Sequence, residues 1–253
     1  MKRRTVLTGA LAGAAGVASS VGGFEAAETF GQRSKRCARP AEGSTGAVDV
    51  DLMWRAGTDR REVALTFDDG PDPQWTPQVL DMLRRHSARA TFFVVGKRVE
   101  RYPELVRRAV AEGHEIGNHT WSHERLDECD RGRAVAQLRR GAAAITAVTG
   151  RAATLFRPPW GVIDPVGLLA AAEAGYQVVL WSALIRGRAP GADLDRTVAT
   201  VTPGTVILGH DGGSTPRAEL MSAFDSLLTQ LTADGYRFVT VTALQERASS
   251  SQA

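Results

Sequence analysis

The sequence predicts an α/β fold in which helices cover a parallel sheet. Its 253 residues are 43% hydrophobic and 23% charged, which is the composition of an ordinary globular chain and excludes disordered, collagenous and coiled-coil proteins. From about residue 61 onward, short apolar runs alternate with segments of helical spacing, a pattern typical of parallel strands joined by crossover helices. An open doubly wound sheet and a closed barrel both fit this pattern.

The predicted strands are seven short runs whose apolar residues suit a buried sheet. In chain order they span residues 63–67, 90–95, 115–117, 155–157, 176–181, 205–208 and 238–241. Helical spacing of apolar residues predicts helices between them, over residues 76–85, 103–112, 129–149, 165–174 and 216–233. Polar residues follow several of these strands, and in parallel folds the chemistry lies at the carboxyl ends of the strands.

The first 31 residues have the pattern of a secretory signal peptide. Lys2, Arg3 and Arg4 form a positive start, and residues 5–24 that follow carry no charge. The adjacent arginines resemble a twin-arginine export signal, while the general secretion route and an uncleaved membrane anchor stay open. We therefore predict a secreted or extracytoplasmic protein that has no stable membrane insertion once the signal is cleaved.

Three segments follow the predicted signal. Residues 32–60 contain glycine, serine and arginine without a sustained period, which indicates a linker. The alternating pattern then predicts a catalytic domain over residues 61–245, followed by a short flexible tail over residues 246–253.

The charge balance gives no reason to expect a nucleic-acid partner. There are 31 Lys and Arg against 28 Asp and Glu, and removing residues 1–31 leaves 28 against 26, a net charge of +2. Nucleic-acid binding needs clustered basic residues rather than a small excess. Two cysteines, Cys37 and Cys129, allow one disulfide at most, and both the disulfide and two separate thiols are open.

Two adjacent carboxylates end the first predicted strand, because Asp68 and Asp69 precede a Gly-Pro turn. Neighbouring residues on an extended chain point in opposite directions, so the two would serve different roles unless the turn redirects them. One could bind a metal and the other could accept a proton. The alternative is a purely structural turn, since Asp and Gly are common turn residues.

Two histidines follow the third predicted strand with a spacing that suits metal binding. On a helical turn, His119 and His123 would lie on one face, close enough to share an ion. An Asp with two imidazoles leaves ligand positions for water and substrate, as catalytic metal sites do. One divalent metal is therefore predicted, for which Zn²⁺ is best suited and Co²⁺, Ni²⁺ and Mn²⁺ are alternatives. His114 precedes the same strand and is predicted to be structural.

An arginine and a further histidine end two later strands. Arg157 could orient a carboxylate, and Trp160 three residues on could stack on a sugar. A packing arginine in a proline-constrained loop is the alternative. His210 could protonate a leaving amine or alkoxide, because its ordinary pKa is near neutral. A histidine satisfied by a backbone carbonyl is the alternative.

Together these four motifs resemble the polysaccharide deacetylases of the NodB-homology type, carbohydrate esterase family 4. T-F-D-D-G at 66–70, H-T-W-S-H at 119–123, R-P-P-W-G at 157–161 and L-G-H at 208–210 are similar to that family's first, second, third and fifth motifs. The resemblance covers about residues 61–243. It implies a distorted (β/α) barrel with about seven parallel strands.

The resemblance also implies roles for individual residues. Asp69, His119 and His123 would bind the metal. Asp68 would be the general base, assisted by Arg157, and His210 would be the general acid. The substrate would contact Pro158, Trp160, Trp181 and Leu208.

The fourth motif of the family is where this sequence departs from the pattern. That motif usually supplies an Asp that pairs with the arginine of the third motif. Residues 180–188 contain no acid, so Arg157 loses its expected partner and the effect of that pair on Asp68 is in doubt. Asp193 or Asp195 on the next helical segment is the alternative partner.

The predicted function is metal-dependent removal of acetyl groups from an N-acetylated polysaccharide, either chitin oligomers or peptidoglycan. An O-acetylated glycan is the alternative substrate, because an acetylxylan esterase can use the same metal, base and acid. A glycan-binding protein without turnover is the alternative from a different class, since the fourth-motif acid is missing. The sequence does not predict the oligomeric state.

Overall fold

The computed structural model describes residues 48–162, 164–185, 189–213 and 218–250. The predicted signal peptide lies outside these residues, as does Cys37. The strands are β1 (Leu52–Met53), β2 (Glu62–Asp68), β3 (Thr91–Val94), β4 (Glu115–Asn118), β5 (Leu155–Phe156), β6 (Gln177–Val179), β7 (Ala183–Leu184), β8 (Val206–His210) and β9 (Arg237–Val239). The helices are α1 (Thr76–Arg85), α2 (Gly96–Arg101), α3 (Pro103–Ala111), α4 (Arg131–Thr149), α5 (Pro165–Glu173), α6 (Pro190–Thr200), α7 (Ala218–Ala233) and α8 (Val241–Ser249).

All nine strands found in the described residues pair in parallel, in the order β1-β6-β5-β4-β3-β2-β8-β7, with β9 beside β2. Only residues 180–182 separate β6 from β7, although β6 lies near one end of the strand order and β7 at the other. Leu180 N donates to Met53 O at 2.7 Å, and Ser182 N donates to Val206 O at 3.0 Å. Residues 180–182 therefore bring the two ends of the sheet together, and the sheet curls into the predicted distorted barrel.

Alternate side chains of β2 point to opposite faces of the sheet and pack in two different hydrophobic cores. Val63, Leu65 and Phe67 pack outward in the core that the sheet shares with its helices. Ala64 packs inward with apolar side chains of the other strands and with α8. This inner layer contains Met53, Ala64, Phe93, Leu155, Val179, Val206, Val239, Val241, Leu244 and Ala248. Since α8 packs among the inward-facing side chains, the barrel interior is a filled core.

Strand and helix residues extend beyond both ends of the predicted domain, residues 61–245. β1 lies within residues 32–60, the predicted linker, and Ala56 N donates to Gly204 O at 2.9 Å, so the sheet begins before residue 61. A two-residue strand is too short to stand out as an apolar run. At the other end, α8 begins at Val241 and includes part of the predicted tail. Thr240 caps α8 by accepting from Ala243 N at 3.2 Å.

Cys129 carries a half-buried free thiol that donates to Arg125 O at 3.2 Å. Burial raises the pKa of this thiol to about 11. Among the residues described, none of the helices combines the length and apolarity needed to cross a bilayer.

His114 is buried beside the amino end of β4, where its Nδ1 accepts from Ala90 N at 3.2 Å. Its Nε2 has no hydrogen-bond partner among the described residues. Burial, together with the positive charge of Arg89, lowers the pKa of His114 to about 4. These contacts support the predicted structural role.

We expect His114 to weaken the fold in mild acid. The folded protein keeps this imidazole neutral down to about pH 4, whereas an unfolded chain protonates it near pH 6.5. Unfolding therefore takes up a proton between these values, and the loss of stability reaches about 2 kcal/mol at pH 5. Chemical denaturation of a His114→Gln variant at pH 7 and pH 5 should show a pH effect that is smaller than the wild type's by this amount. A His86→Gln variant is the control. If His114→Gln lost as much stability between pH 7 and pH 5 as the wild type and this control do, the assignment would be contradicted.

Candidate active site

The polar residues predicted at the strand ends lie together at the carboxyl end of the barrel. Asp68 ends β2, and its Cα is paired in register with that of His210 at the end of β8. Asn118 ends β4 just before His119, and Arg157 follows β5. The parallel sheet therefore brings four separate motifs to one edge.

The turn after β2 redirects the second of the two aspartates. Asp68 has the extended backbone of the strand, whereas Asp69 adopts a left-handed conformation with φ 73°. His119 Nε2 consequently lies 3.9 Å from Asp68 Oδ2 and 3.5 Å from Asp69 Oδ1. Both carboxylates face the same histidine although they are adjacent in sequence.

Asp69, His119 and His123 form a cluster that could hold a metal ion. Their ligand atoms all lie within 4.8 Å of one another, and His123 Nε2 is 3.1 Å from Asp69 Oδ1. The Nδ1 of His119 is 2.7 Å from Arg157 O, so a proton on Nδ1 leaves Nε2 free to face the cluster. A carboxylate with two imidazoles is a donor set that suits Zn²⁺ and similar divalent ions.

The histidine pair does not lie on a helical turn, which corrects the sequence-based expectation. Residues 119–123 form a loop in which Thr120 and His123 have left-handed backbones, with φ 67° and 58°. Thr120 Oγ1 accepts from His123 N at 3.0 Å and stabilises this loop. The two imidazoles converge through these turns, with ring centroids 5.0 Å apart.

Mutual attraction shifts the pKa values within the cluster. Burial raises the pKa of Asp69, but hydrogen bonds and charge from His119 and His123 outweigh burial and hold this pKa far below its usual range. Burial likewise lowers the pKa of His119, yet the carboxylates of Asp68 and Asp69 raise it above its ordinary value. The cluster thus favours a bound positive charge.

Arg157 is completely buried and pairs directly with Asp68. Its Nη1 donates to Asp68 Oδ1 at 2.7 Å and to Thr66 Oγ1 at 2.8 Å. Its Nε and Nη2 donate to the carbonyl oxygens of Val179 and Leu180, at 2.9 and 3.0 Å. Burial lowers the pKa of the guanidinium, and the Asp68 charge opposes this change.

Arg157 has hydrogen-bond partners in the structure although the fourth-motif acid is missing. The backbone carbonyls of Val179 and Leu180 accept two further guanidinium hydrogens, and Asp68 is the carboxylate partner of Arg157. Neither Asp193 nor Asp195 contacts Arg157, and Asp193 instead pairs with Arg196 at 3.4 Å. The alternative partner proposed from the sequence is therefore wrong.

Of the residues predicted to contact substrate, Trp160 lies against the cluster. Trp160 is 67% exposed, and its ring centroid lies 5.2 Å from that of His123. Gly161 has φ 66°, and a Cβ there would lie 2.4 Å from the Trp181 ring. Trp181 therefore packs against the turn that carries Trp160. Pro158, which follows Arg157, and Leu208, two residues before His210, are both buried.

Asp211 is a site residue to which the sequence analysis gave no role. Its N donates to Asp68 O at 3.1 Å, and its Oδ2 accepts from Thr76 Oγ1 at 2.5 Å. Burial raises the pKa of this carboxyl to about 7, and the charges of Asp69 and Asp68 add to the rise. A Cβ at Gly70 would lie 2.3 Å from the Asp211 carboxylate, so only glycine fits at this position in the turn after β2. The sequence signal that could have indicated this role is the position of Asp211 directly after His210, at the carboxyl end of β8.

Known proteins share this combination of fold and motifs. Residues 55–179 match the polysaccharide deacetylase family. Over 198 residues, the chain is 41% identical to the peptidoglycan-N-acetylglucosamine deacetylase of Bacillus cereus, an alignment that covers 76% of this chain and 92% of that protein. The chain belongs to the polysaccharide deacetylase family.

Two further relatives place this polysaccharide deacetylase among carbohydrate-active enzymes. It is 43% identical over 162 residues to the chitooligosaccharide deacetylase of Sinorhizobium fredii, covering 62% of this chain and 75% of that protein. It also resembles the crystal structure of the Bc1960 peptidoglycan N-acetylglucosamine deacetylase, with a TM-score of 0.74, 34% identity and coverage of 78% and 94% of the two chains. Polysaccharide deacetylases of this family are metal-dependent hydrolases, and the Asp-His-His cluster suits that dependence.

Proposed function

We propose that the protein removes acetyl groups from the N-acetylated sugars of a cell-envelope glycan. The observation that carries this proposal is the Asp69, His119 and His123 cluster placed beside the buried Asp68–Arg157 pair. Relatives named as deacetylases of peptidoglycan and of chitooligosaccharides support an N-acetylated glycan as substrate. The reaction adds water to the amide and yields acetate and a free sugar amine.

Asp69, His119 and His123 would hold one divalent metal, for which Zn²⁺ suits the donor set best. When bound there, such an ion polarises the acetyl carbonyl and makes water more acidic. Three protein ligands leave further positions open, as expected of a catalytic rather than a structural site.

Asp68 is the proposed general base. Arg157 holds Oδ1 of this carboxylate at 2.7 Å, which fixes its orientation, while Oδ2 faces the cluster 3.9 Å from His119. The carboxylate can therefore accept a proton from the attacking water while the water oxygen forms its bond to the acetyl carbon.

His210 is the proposed general acid. This role is supported by the register of β2 and β8, in which the Cα of His210 pairs with that of Asp68 at the same edge of the sheet. His210 donates a proton to the sugar nitrogen as the carbon–nitrogen bond breaks, so the amine leaves without a negative charge. Leu208 and Trp160 are the proposed lining of the pocket for the acetyl methyl group, and the exposed ring of Trp160 could also stack on the sugar.

An extracytoplasmic location fits this substrate. The pattern of residues 1–31 predicts export, and the relatives that match the chain are named for cell-wall and chitin-derived glycans. We therefore propose that the mature protein meets its glycan outside the cytoplasm.

Acetate release should depend on the metal. We expect the purified mature chain to release acetate from peptidoglycan or chitin oligomers, to lose at least 90% of this activity after dialysis against a chelator, and to regain it with Zn²⁺ or Co²⁺. Acetylxylan serves as the ester control. Faster acetate release from acetylxylan than from either amide substrate would favour the esterase, and glycan binding without any release would favour the glycan-binding protein.

A further inference from the structure

Positive charge is concentrated on α2 and α4, two helices that contact the loop of residues 119–123. The 19 residues of α4 include four arginines and no acid, and α2 carries three cations against Glu100. These cations are Lys97, Arg98, Arg101, Arg131, Arg133, Arg139 and Arg140. The chain without residues 1–31 has a net charge of only +2, so this concentration is local.

Acids neutralise only part of this charge. Arg98 pairs with Asp72 at 3.4 Å, Arg133 pairs with Glu124 at 2.9 Å, and Arg131 pairs with Glu173. The remaining four cations are exposed, and within the described parts of the chain none of them has an ion pair. They are Lys97, Arg101, Arg139 and Arg140.

Lys97 and Arg140 flank the loop that carries the two histidine ligands. Lys97 N donates to Trp121 O at 2.9 Å, and the Arg140 guanidinium lies 3.7 Å over the Trp121 ring. A Cβ at Gly96 would lie 3.0 Å from the Cα of Gly141, so α2 and α4 are in close contact where these cations begin. Trp121 lies between His119 and His123 in sequence, so the backbone of Lys97 and the guanidinium of Arg140 both contact the loop that forms part of the candidate active site.

The two kinds of substrate named for the relatives differ in charge. Chitooligosaccharides are neutral, whereas peptidoglycan bears carboxylates on its peptide stems, and on its lactyl ethers where no stem is attached. Exposed Lys and Arg side chains attract carboxylates, raise the local concentration of an anionic substrate and lose this effect as salt screens them. Stacking on Trp121 also restricts the Arg140 guanidinium, which lowers the entropy lost on binding.

We infer that Lys97 and Arg140 bind carboxylates of a peptidoglycan strand whose N-acetyl group occupies the active site. Arg101 and Arg139 extend the positive charge along the same two helices. This inference rests on the proposed deacetylase function and specifies its substrate as an anionic glycan. It makes Lys97 and Arg140 determinants of specificity that act outside the reacting centre.

The test compares Lys97→Gln and Arg140→Gln with the wild type on two soluble substrates, a peptidoglycan fragment with peptide stems and a chitooligosaccharide. At low salt, each variant should lower the ratio of kcat/KM for peptidoglycan to kcat/KM for chitooligosaccharide about three- to tenfold, mainly through KM. At high salt, the difference from the wild type should disappear. Arg151→Gln removes an exposed arginine beyond the end of α4 and is the matched control.

An unchanged ratio in both variants, or an equal fall in Arg151→Gln, would overturn the inference while leaving the deacetylase function intact. Co-sedimentation with insoluble peptidoglycan gives a second measurement that needs no turnover. The peptidoglycan is first freed of phosphate polymers, and binding should weaken in both variants. Should the wild type release no acetate, the proposed function fails, and co-sedimentation still decides whether these cations bind the glycan. Binding that requires the phosphate polymers would contradict a carboxylate ligand.

Discussion

Replacing Asp68 by asparagine is expected to lower kcat for acetate release about 1,000-fold while leaving the metal bound. The amide cannot accept a proton from water, but the cluster of Asp69, His119 and His123 stays complete. Steady-state acetate release and metal content of the same purified sample measure the two effects separately. Circular dichroism checks that the variant is folded, because Arg157 loses its carboxylate partner.

The matched variant is Asp69→Asn, which removes one member of the cluster and keeps the Asp68–Arg157 pair. We expect this variant to lose most of its metal as well as its activity. Loss of metal from Asp68→Asn but not from Asp69→Asn would mean that the two aspartates have the opposite roles. Activity within tenfold of the wild type in Asp68→Asn would refute the assignment of the base.

Replacing Arg157 by methionine is expected to lower the free energy of unfolding by about 3–5 kcal/mol. The guanidinium is completely buried, and its removal leaves the Asp68 charge without its closest partner inside the barrel. Two backbone carbonyls, of Val179 and Leu180, lose their donors at the same time. Chemical denaturation followed by circular dichroism measures this change.

A surface pair gives the comparison for Arg157→Met. Arg84 and Asp81 are 3.0 Å apart on the exposed side of α1, and Arg84→Met should cost less than about 1 kcal/mol. The double variant Asp68→Asn/Arg157→Met should be more stable than the sum of the two single losses predicts, because it leaves neither charge alone. Strict additivity would show that the two side chains do not depend on each other.

The sequence allowed the strands and the residues at their carboxyl ends to be predicted well. Each of the seven predicted strands corresponds to a strand in the structure, because buried parallel strands are continuous apolar runs between turn residues. Asp68, His119, Arg157 and His210 were predicted to share one edge for the same reason. Parallel pairing fixes where strand ends lie, whichever helices connect them.

Features that depend on contacts distant in sequence were not predictable. β1 and β7 contain two residues each and exist only through pairing with β6 and β8. The buried position of Asp211 depends on the fit of Gly70 and Thr76 against it. Residues 119–123 have helical spacing in sequence, but hydrogen bonds such as that from His123 N to Thr120 Oγ1 fold them into a loop.

The left-handed residues around the active site have a consequence for engineering a more stable protein. Among the residues described, five that are not glycine have positive φ, and four of them surround the site: Asp69, Thr120, His123 and Trp160. Each such conformation costs about 1 kcal/mol or more, so we expect a screen for thermostability to favour glycine or asparagine there, including at the proposed metal ligands Asp69 and His123. Ser87 is the fifth, in an exposed loop between α1 and β3. Substitution at Ser87 offers the same relief of backbone strain without disturbing catalysis.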